Sequence, residues 1–327
     1  MKRTLVLFVM ILSFGLLSSQ TRIEYVSSSS VPSHGKTSEN TVIREIMLRP
    51  FKSVDINYFL GDVVIRQGTR HEVTVTADDH VIDHIQVLVK DDKLYICMED
   101  KNISYNKAKI KVEVDVPHLE EVTIQNVGDV TIEKRAEVNL SIVLNGTGDC
   151  VLQSQQIENS LELFNHGVGD IVVPTSSVIK TGSLLIHNSG TGDVSLHACQ
   201  CSAGSVVINN AGVGDVFVNM MKNGVGELAL QNKGTGTLKV QNINVKQLEL
   251  KNLGSGDMVL NGIAESIRIV NVGTGDVSAQ YLKAMKAHIT NYGTSTIKAN
   301  VSDTAYITNY SAVGKVDVSG GAKLVWE

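Results

Sequence analysis

Carboxylates recur along this sequence in one fixed setting, the last position of a short glycine-rich phrase. In its fullest form, at residues 188–193, the phrase reads Asn-Ser-Gly-Thr-Gly-Asp. Its aspartates could coordinate calcium, since Gly-x-Gly-x-Asp repeats bind that ion in another kind of β-roll. They could equally accept hydrogen bonds from turn amides and face solvent. The aspartates at this position are Asp149, Asp170, Asp193, Asp215, Asp257 and Asp276, with a shorter copy ending at Asp129.

Two features of the sequence bear on the choice between calcium and a turn cap. Calcium-binding rolls repeat about every nine residues, whereas successive copies of this phrase, counted with those that end at Thr237 and Thr296, are 19 to 23 residues apart. Thr237 and Thr296 also replace the carboxylate in two copies, which would interrupt a column of metal ligands. The sequence therefore favours aspartates that cap turns, and a calcium column through the six aspartates is the alternative.

The densest group of titratable side chains lies elsewhere, at residues 78–84, which read Asp-Asp-His-Val-Ile-Asp-His. Carboxylates and imidazoles are metal ligands, although a solvated connection between strands has the same composition. Glycoside hydrolysis needs two carboxylates in unlike environments, and uniformly repeated aspartates do not provide such a local cluster. No nucleophile elbow, phosphate loop, Cys-x-x-Cys pair or His-Glu-x-x-His motif occurs. We therefore expect no catalytic residues, no metal and no cofactor.

Four cysteines in an exported chain raise the question of disulfides, but their placement predicts free thiols. Cys199 and Cys201 share one face of an extended segment, where a bridge would be strained. Cys150 falls at the position that Ile171 and Val194 fill in other copies of the repeat, so we interpret it as a small core residue. It lies two repeat units from Cys199, farther than the ~7 Å limit for bridged Cα atoms.

Hydrophobic side chains alternate on both sides of the glycine-rich phrase. Leu184, Ile186 and Asn188 share one face, and Val194 and Leu196 return to that face after the turn. The same parity recurs at intervals of ~20 residues, and a period of that length is typical of repeats that stack on one another. Each unit is therefore predicted to be a strand, a glycine turn, a second strand and a loop.

One such unit cannot be stable alone. It buries about four apolar side chains, worth roughly 6–12 kcal/mol gross, whereas ordering ~20 residues costs ~1–2 kcal/mol for each backbone unit. Stability must come from neighbouring units that exchange backbone hydrogen bonds at a spacing of ~4.8 Å. The predicted fold is all-β, a parallel β-solenoid (β-helix) with ~20-residue coils, preceded by an irregular N-terminal β region.

The other residues of the phrase are predicted to have backbone and packing roles. A corner this tight is expected to need positive φ at its glycines, which glycine adopts without cost. The asparagine points inward by parity, where an unsatisfied amide would cost ~1–3 kcal/mol, so it must bond along the stack or to the turn. We predict an internal asparagine ladder through Asn126, Asn165, Asn188, Asn210, Asn232, Asn252, Asn271, Asn291 and Asn309.

The start of the chain predicts export. Residues 1–19 have the features of a secretory signal peptide, with Lys2 and Arg3 before an apolar run that ends at Leu17. Residues 20–40 are polar enough to predict a flexible linker. We assign 41–120 to an N-terminal β region that caps the solenoid and 121–327 to the repeats. No later stretch approaches the ~20 apolar residues of a membrane span, which predicts a protein of the periplasm, the outer surface or the extracellular space.

Charge and outward side chains bear on the choice of partner. Removal of the leader changes the formal net charge from -5 to -7, which argues against nucleic acid. Mid-stack outward positions are apolar and predict a ligand or self-association surface, unless the N-terminal strands or loops cover them. These positions are Val151, Phe164, Val172, Leu185, Val207 and Phe217, whereas later units place Lys239, Glu249, Lys251 and Arg268 outward.

Several stretches of the sequence resemble a known family. They are 51–54 (Phe-Lys-Ser-Val), 61–68 (Gly-Asp-Val-Val-Ile-Arg-Gln-Gly), 93–96 (Lys-Leu-Tyr-Ile), 114–117 (Val-Asp-Val-Pro) before Leu119, and the repeated Gly-Thr-Gly-Asp-Val. Over roughly residues 41–320 the chain resembles the bacterial secreted GIN-domain family, known as auto-transporter adhesin heads. The resemblance implies a β-helical exported protein that acts in adhesion at the cell surface, and it brings no catalytic residues.

Together these observations predict an exported, non-enzymatic β-solenoid whose outer walls present a binding surface to a protein or glycan ligand at the cell surface. Two alternatives stay open. One is a structural role in the envelope or periplasm, and the other is a carbohydrate-active β-helix enzyme.

Overall fold

The structure is a computed structural model that describes residues 41–99, 109–202, 204–221 and 225–327. The predicted signal peptide 1–19 and linker 20–40 lie outside the described residues. The described part of the chain is all-β apart from a single 3-10 turn at Ile82–His84. The prediction of an all-β fold is confirmed.

The strands fall into two groups along the chain. The N-terminal group comprises β1 Thr41–Met47, β2 Ser53–Asn57, β3 Asp62–Gln67, β4 Glu72–Asp78, β5 Ile85–Lys90, β6 Lys93–Met98, β7 Ile110–Val116 and β8 Glu121–Gln125. The second group comprises β9 Val130–Ile132, β10 Arg135–Leu144, β11 Cys150–Leu152, β12 Gln155–Asn165, β13 Ile171–Val173, β14 Ile179–Thr181, β15 Ser183–Asn188, β16 Val194–Cys201, β17 Val206–Asn210, β18 Val216–Met220, β19 Val225–Asn232, β20 Leu238–Asn252, β21 Met258–Asn271, β22 Val277–Asn291, β23 Thr296–Asn309, β24 Lys315–Ser319 and β25 Lys323–Trp326.

Each turn of the solenoid has three walls and one glycine corner. In a representative turn the first wall is 248–252, the corner is 253–257, the second wall is 258–260 and the third wall is 261–266. Successive turns pair in parallel along each wall, so that β20, β21 and β22 stack in order. Short register shifts between the second and third walls absorb the differences in repeat length. The predicted parallel β-solenoid is confirmed.

The N-terminal region is partly solenoid. Strand β2 pairs in parallel with β6 on one side and β8 on the other, and β3 does the same with β7 and β9. Strands β1, β4 and β5 add antiparallel pairs beyond this stack. Parallel stacking therefore extends into region 41–120, and the irregular part is the antiparallel layer. Such a layer covers the edge of the stack, which would otherwise expose unpaired backbone groups.

The interior follows the predicted parity. Leu184, Ile186, Val194 and Leu196 are buried, and they stack on equivalent side chains of the next turn. Cys150 pairs with Ile171 in register and is buried like it. All four cysteines are free thiols, as predicted. Burial raises the pKa of the Cys150 thiol to about 12, which keeps it protonated and inert at neutral pH.

The corner glycines serve close packing and not positive φ, which corrects the expectation from the sequence. Among the described glycines, only Gly262, Gly320 and Gly321 lie in the left-handed region, and none of the three belongs to the glycine-rich phrase. A Cβ on Gly190 would instead overlap the carbonyl oxygen of Gly167 in the turn below. The corner backbones therefore stack so closely that only hydrogen fits between successive turns.

Candidate functional site

Seven asparagines line the inside of the corner, one above another. Each is at most 1% exposed, and each pairs in register with the next along the first wall. They are Asn165, Asn188, Asn210, Asn232, Asn252, Asn271 and Asn291. These amides therefore lie on the inner face of the corner.

The amides bond differently along the stack. In the middle turns the Nδ2 group donates to a corner carbonyl of the same turn, as from Asn165 to Gly169 at 2.9 Å. Toward the C-terminal end the amides bond to each other, from Asn271 to Asn291 at 2.9 Å and from Asn291 to Asn309 at 3.1 Å. The corner is therefore braced from inside by side-chain amides. The contribution of these hydrogen bonds to the free energy of unfolding stays a prediction.

Asn126 does not belong to this column. In the two turns below Asn165, the column position is filled by Leu144 and Ile124. Asn126 lies two residues beyond Ile124, where the backbone of Gly146 packs directly on it. It is 2% exposed, and its amide oxygen and nitrogen have no hydrogen-bond partner among the described residues. The shorter phrase at 126–129 keeps the spacing of the corner but moves the asparagine out of register.

The aspartates form a second column at the outer side of the corner. The Oδ1 atom of each accepts a hydrogen bond from the backbone amide at the same position of the next turn, as Asp193 does from Asp215 at 2.7 Å. Thr237 and Thr296 donate their amides in the same way to Asp215 and Asp276. The carboxylates therefore link successive turns. Within the described residues, no group of three or more His, Cys, Asp or Glu side chains is arranged to hold a metal ion.

Among the aspartates of this column, Asp193 shows most clearly the effect of its surroundings on the pKa of the carboxyl group. Partial burial raises the pKa of its carboxyl group above the usual value, and the neighbouring carboxylates of Asp170 and Asp215 raise it further. The amide of Asp215 acts in the opposite direction because it donates to the charged form. The hydrogen bond therefore offsets only part of the combined effect of burial and repulsion on the pKa of Asp193.

The titratable group at 78–84 is dispersed in the structure. Asp78 is 1% exposed and its Oδ2 atom accepts the amide of Lys109 at 3.3 Å. Asp83 pairs with the guanidinium of Arg44 on β1. His80 lies 3.7 Å from Asp79 at the surface. Asp78 and Asp83 therefore each connect separate segments of the antiparallel layer, whereas Asp79 and His80 lie at its surface.

The outside of the corner forms a straight groove, here called the corner groove. Its floor is made of buried corner glycines, and its volume is about 560 Å³. Two columns of exposed side chains border it across five turns of the stack. One column is Asn145, His166, Ser189, Ala211 and Lys233, and the other is Thr147, Val168, Thr191, Val213 and Thr235.

The borders of the corner groove combine apolar and hydrogen-bonding groups. Val168 and Val213 are 61% and 62% exposed, and threonines occupy the alternate turns between them. On the other border, the Nδ1 atom of His166 lies 2.6 Å from the Oγ atom of Ser189. Sequence reasoning treated these positions as variable residues of a turn. The alternation of Thr and Val between the glycines was the signal that could have identified them.

The outward apolar residues divide between two walls. Phe164, Leu185 and Val207 lie on the first wall, and the other three on the second wall. The second-wall residues are Val151, Val172 and Phe217. All six are half-buried by neighbours on their own wall. The ring of Phe217, for example, contacts His197 and lies 5.6 Å from the ammonium group of Lys239. Self-association through these side chains stays a prediction.

One further structural observation concerns membranes. The described part of the chain holds no helix with the length and apolarity that crossing a lipid bilayer requires.

Comparison with known proteins gives a family and several solved structures. The model of the family described as "putative auto-transporter adhesin, head GIN domain" matches residues 50–224 and 221–322. A putative adhesin from Bacteroides fragilis is similar at 18% identity, over 89% of this chain and 98% of that chain, with a TM-score of 0.40. One from Parabacteroides merdae is similar at 13% identity, over 88% and 96%, with a TM-score of 0.42. One from Parabacteroides distasonis is similar at 15% identity, over 89% and 95%, with a TM-score of 0.37. No curated protein matches.

Proposed function

From the premise that the chain belongs to the family of putative auto-transporter adhesin head GIN domains, we propose that it is an exported, non-enzymatic binding head. Its ligand is a protein or glycan at the cell surface, and its binding site is the corner groove. The family description supports the adhesive role, and the shape and composition of the groove support the proposed site.

The observation that carries the proposal is the groove itself, a continuous recess with a rigid floor. Backbone amides of the corner already bond to carbonyls of the turn below, as Ser189 does to Asn165 at 2.8 Å. A ligand must therefore be held by the bordering side chains and not by added β-pairing. Exposed Val168 and Val213 offer apolar contact, while the threonine hydroxyls and the Lys233 ammonium offer hydrogen bonds.

The chemistry of the groove supports binding without turnover. Among the described residues that line it, there is no carboxylate and one imidazole, that of His166. The nearest acidic residues are the corner aspartates, whose Oδ1 atoms are engaged by backbone amides. General acid and base catalysis needs titratable groups of unlike pKa that face one substrate. The groove offers none of these pairs.

Adhesion can be measured with the mature chain on fluorescent beads, using immobilised mucin, fibronectin, collagen and a glycan array as probes. We expect at least one immobilised probe to retain more of the protein-coated beads than of albumin-coated control beads. The variant Val213→Glu should reduce that retention severalfold, because it places a charge over the apolar border of the groove. The supernatant should contain no released reducing sugar.

A control variant introduces a glutamate on the second wall, with a change in net charge of two units against one for Val213→Glu. Lys298 is exposed there and far from the groove, so Lys298→Glu should bind like the unmodified chain. Equal retention of beads carrying Val213→Glu and Lys298→Glu would move the binding surface away from the groove. Retention no better than albumin on every probe would contradict the adhesive function.

A further inference from the structure

A second recess lies on the third wall, near the N-terminal end of the stack. It has a volume of about 600 Å³ and extends from His118 across the outward faces of β10, β12, β14 and β16. Outward residues of successive turns stack there in register, with Ala136 over Gln156, Lys180 and Gln200. We call it the third-wall recess.

A buried ion pair lies beneath the third-wall recess. The guanidinium of Arg135 donates to the Oε1 atom of Glu137 through Nε at 2.9 Å and through Nη2 at 2.6 Å. The two side chains are 0% and 4% exposed. Such a pair is weak evidence for stability, because the cost of removing two charges from water offsets their attraction. The position of Arg135 is filled by buried Gln155 in the next turn and by apolar Ile179 and Cys199 in the two turns after it. The fold itself therefore does not need a charge at this position.

The pair fixes one carboxylate oxygen and leaves the other for a ligand. Oε1 of Glu137 accepts a third hydrogen bond from the amide of Leu119 at 3.0 Å. Glu137 also lines the recess, and its Oε2 atom lies 3.6 Å from Nδ1 of His118. Beside it, Nη1 of Arg135 and Oε1 of Gln155 are buried without a hydrogen-bond partner among the described residues. An oriented carboxylate at the base of a recess is a preorganised hydrogen-bond acceptor for a ligand.

The charges and polar groups of the recess select the kind of ligand. The carboxylates of Glu137 and Glu158 balance the cations of Arg135 and Lys180, so neither an anion nor a cation is favoured. Two carboxamides can each donate and accept hydrogen bonds. Short apolar side chains beside them offer contact to C–H groups. The carboxamides are Gln156 and Gln200, and the apolar residues are Ala136, Val138 and Ile157.

From this arrangement we propose that the third-wall recess binds a neutral sugar residue, with Oε2 of Glu137 accepting a sugar hydroxyl. Vicinal hydroxyls donate and accept hydrogen bonds as the carboxamides do, and a pyranose ring has an apolar C–H face. The site is separate from the corner groove, and it deepens the proposed function by narrowing the glycan class to neutral sugars. Binding of a free sugar is measurable whether or not the protein mediates adhesion.

The test is ligand-observed NMR with four neutral methyl glycosides, those of β-galactose, β-glucose, α-mannose and α-fucose. Glucuronate and glucosamine serve as charged comparators on the same ring. We expect saturation transfer to at least one neutral glycoside, and a Kd raised about tenfold or more in the double variant Gln156→Ala/Gln200→Ala. No transfer to any of the four glycosides, or tighter binding of a charged comparator, would overturn the ligand class.

A second variant isolates the buried pair. Glu137→Gln would leave Arg135 as an uncompensated buried charge and so endanger folding. The double variant Arg135→Met/Glu137→Leu removes both charges together and should still fold with one cooperative melt, at a melting temperature lowered by loss of the acceptor for the Leu119 amide. It should abolish sugar binding. The control Glu249→Ala/Lys251→Ala alters an ion pair on the first wall and should bind normally. Unchanged sugar binding in Arg135→Met/Glu137→Leu would refute the site.

Discussion

At the scale of single residues, the inner asparagines decide how firmly the corner is held. Asn210 is 1% exposed, donates to the carbonyl of Gly214 at 3.0 Å and accepts the amide of Gly212 at 3.4 Å. The variant Asn210→Leu should lower the free energy of unfolding by ~1–3 kcal/mol, because it leaves these backbone groups without the side-chain partner. Chemical denaturation followed by circular dichroism measures the change.

The chain supplies its own steric control for this experiment. Leu144 occupies the same column position two turns below Asn188, so a leucine fits the corner and any loss reflects hydrogen bonds. Asn209 lies next to Asn210 but points outward and is half-buried. Asn209→Leu should therefore change stability by less than about 0.5 kcal/mol. Equal stability of the Asn210 variant and the unmodified protein would refute the ladder.

The aspartate column makes a prediction about pH. Because the pKa of Asp193 is raised in the folded state, its contribution favours folding at low pH and is lost as the pH rises through the folded pKa. Asp193→Asn keeps an oxygen that can accept the amide of Asp215 but carries no charge. We expect higher stability at pH 7, by less than about 1 kcal/mol because the site is largely solvated. Thermal melts at pH 3 and pH 7 measure it.

Measurements at the two pH values distinguish an effect of the Asp193 charge from an effect of side-chain packing. The gain from Asp193→Asn should vanish near pH 3, where the carboxyl group is protonated in both states. A gain of the same size at both values would exclude the ionised form of Asp193, with its costs of burial and repulsion, as the cause. Calcium should not raise the melting temperature of either protein, because amides already occupy the Oδ1 atoms. A rise that depends on Asp193 would instead establish the calcium column.

At the scale of the element, the corner depends on glycine for contact between turns. A methyl group on Gly190 would overlap the carbonyl oxygen of Gly167, and that oxygen accepts the amide of Thr191 at 2.9 Å. Gly190→Ala should therefore separate two turns and cost several kcal/mol, on the order of 2–4. Denaturant titration of the purified variant gives the value.

Gly226 provides the matched control on β19. A Cβ at that position meets nothing within 4 Å, and its φ is outside the left-handed region. Gly226→Ala should therefore be neutral or stabilise by up to about 1 kcal/mol, since alanine restricts the unfolded chain. Similar effects of the two substitutions would contradict the role of close stacking at the corner.

Most of this element could be predicted from the sequence because its cause is periodic. Parity placed Leu184 and Ile186 inside, and the repeated phrase placed the corner, since every turn must meet the same packing requirement. The predicted reason for the glycines, positive φ, was wrong because it considered the backbone angles of one turn and not the contacts between stacked turns. The contact between Gly190 and Gly167 joins residues 23 positions apart and exists only once turns are stacked.

The repeat pattern in the sequence predicted neither the corner groove nor the third-wall recess. The corner groove is bordered by positions whose residue differs from copy to copy, such as Val168 and Thr191, and the alternation of Thr and Val was the available signal. The buried pair of Arg135 and Glu137 breaks the apolar parity of the third wall, but that wall has irregular register and a weak pattern. Departures from a repeat are the places where functional or strained sites are expected.

At the scale of the whole molecule, the protein is a one-dimensional stack with unlike ends. Each turn contacts mainly the turns next to it, so stability is a sum of turn and interface contributions. The antiparallel strands β1, β4 and β5 cover the N-terminal end. The corner groove is a property of this stack, because one turn contributes only two of its bordering side chains.

This architecture predicts that one complete turn can be removed. Deletion of residues 238–257 joins Thr237 to Met258, and Met258 would then stack on Val216 because both pair in register with Leu238. We expect a folded, slightly less stable solenoid with unchanged circular dichroism per residue and one cooperative melt. Deletion of 238–247 is the control, since it removes about half a turn, brings mismatched walls together and should unfold the protein. If both deletions unfold it equally, the turns are not interchangeable and the stability of the rod depends on contacts beyond nearest neighbours.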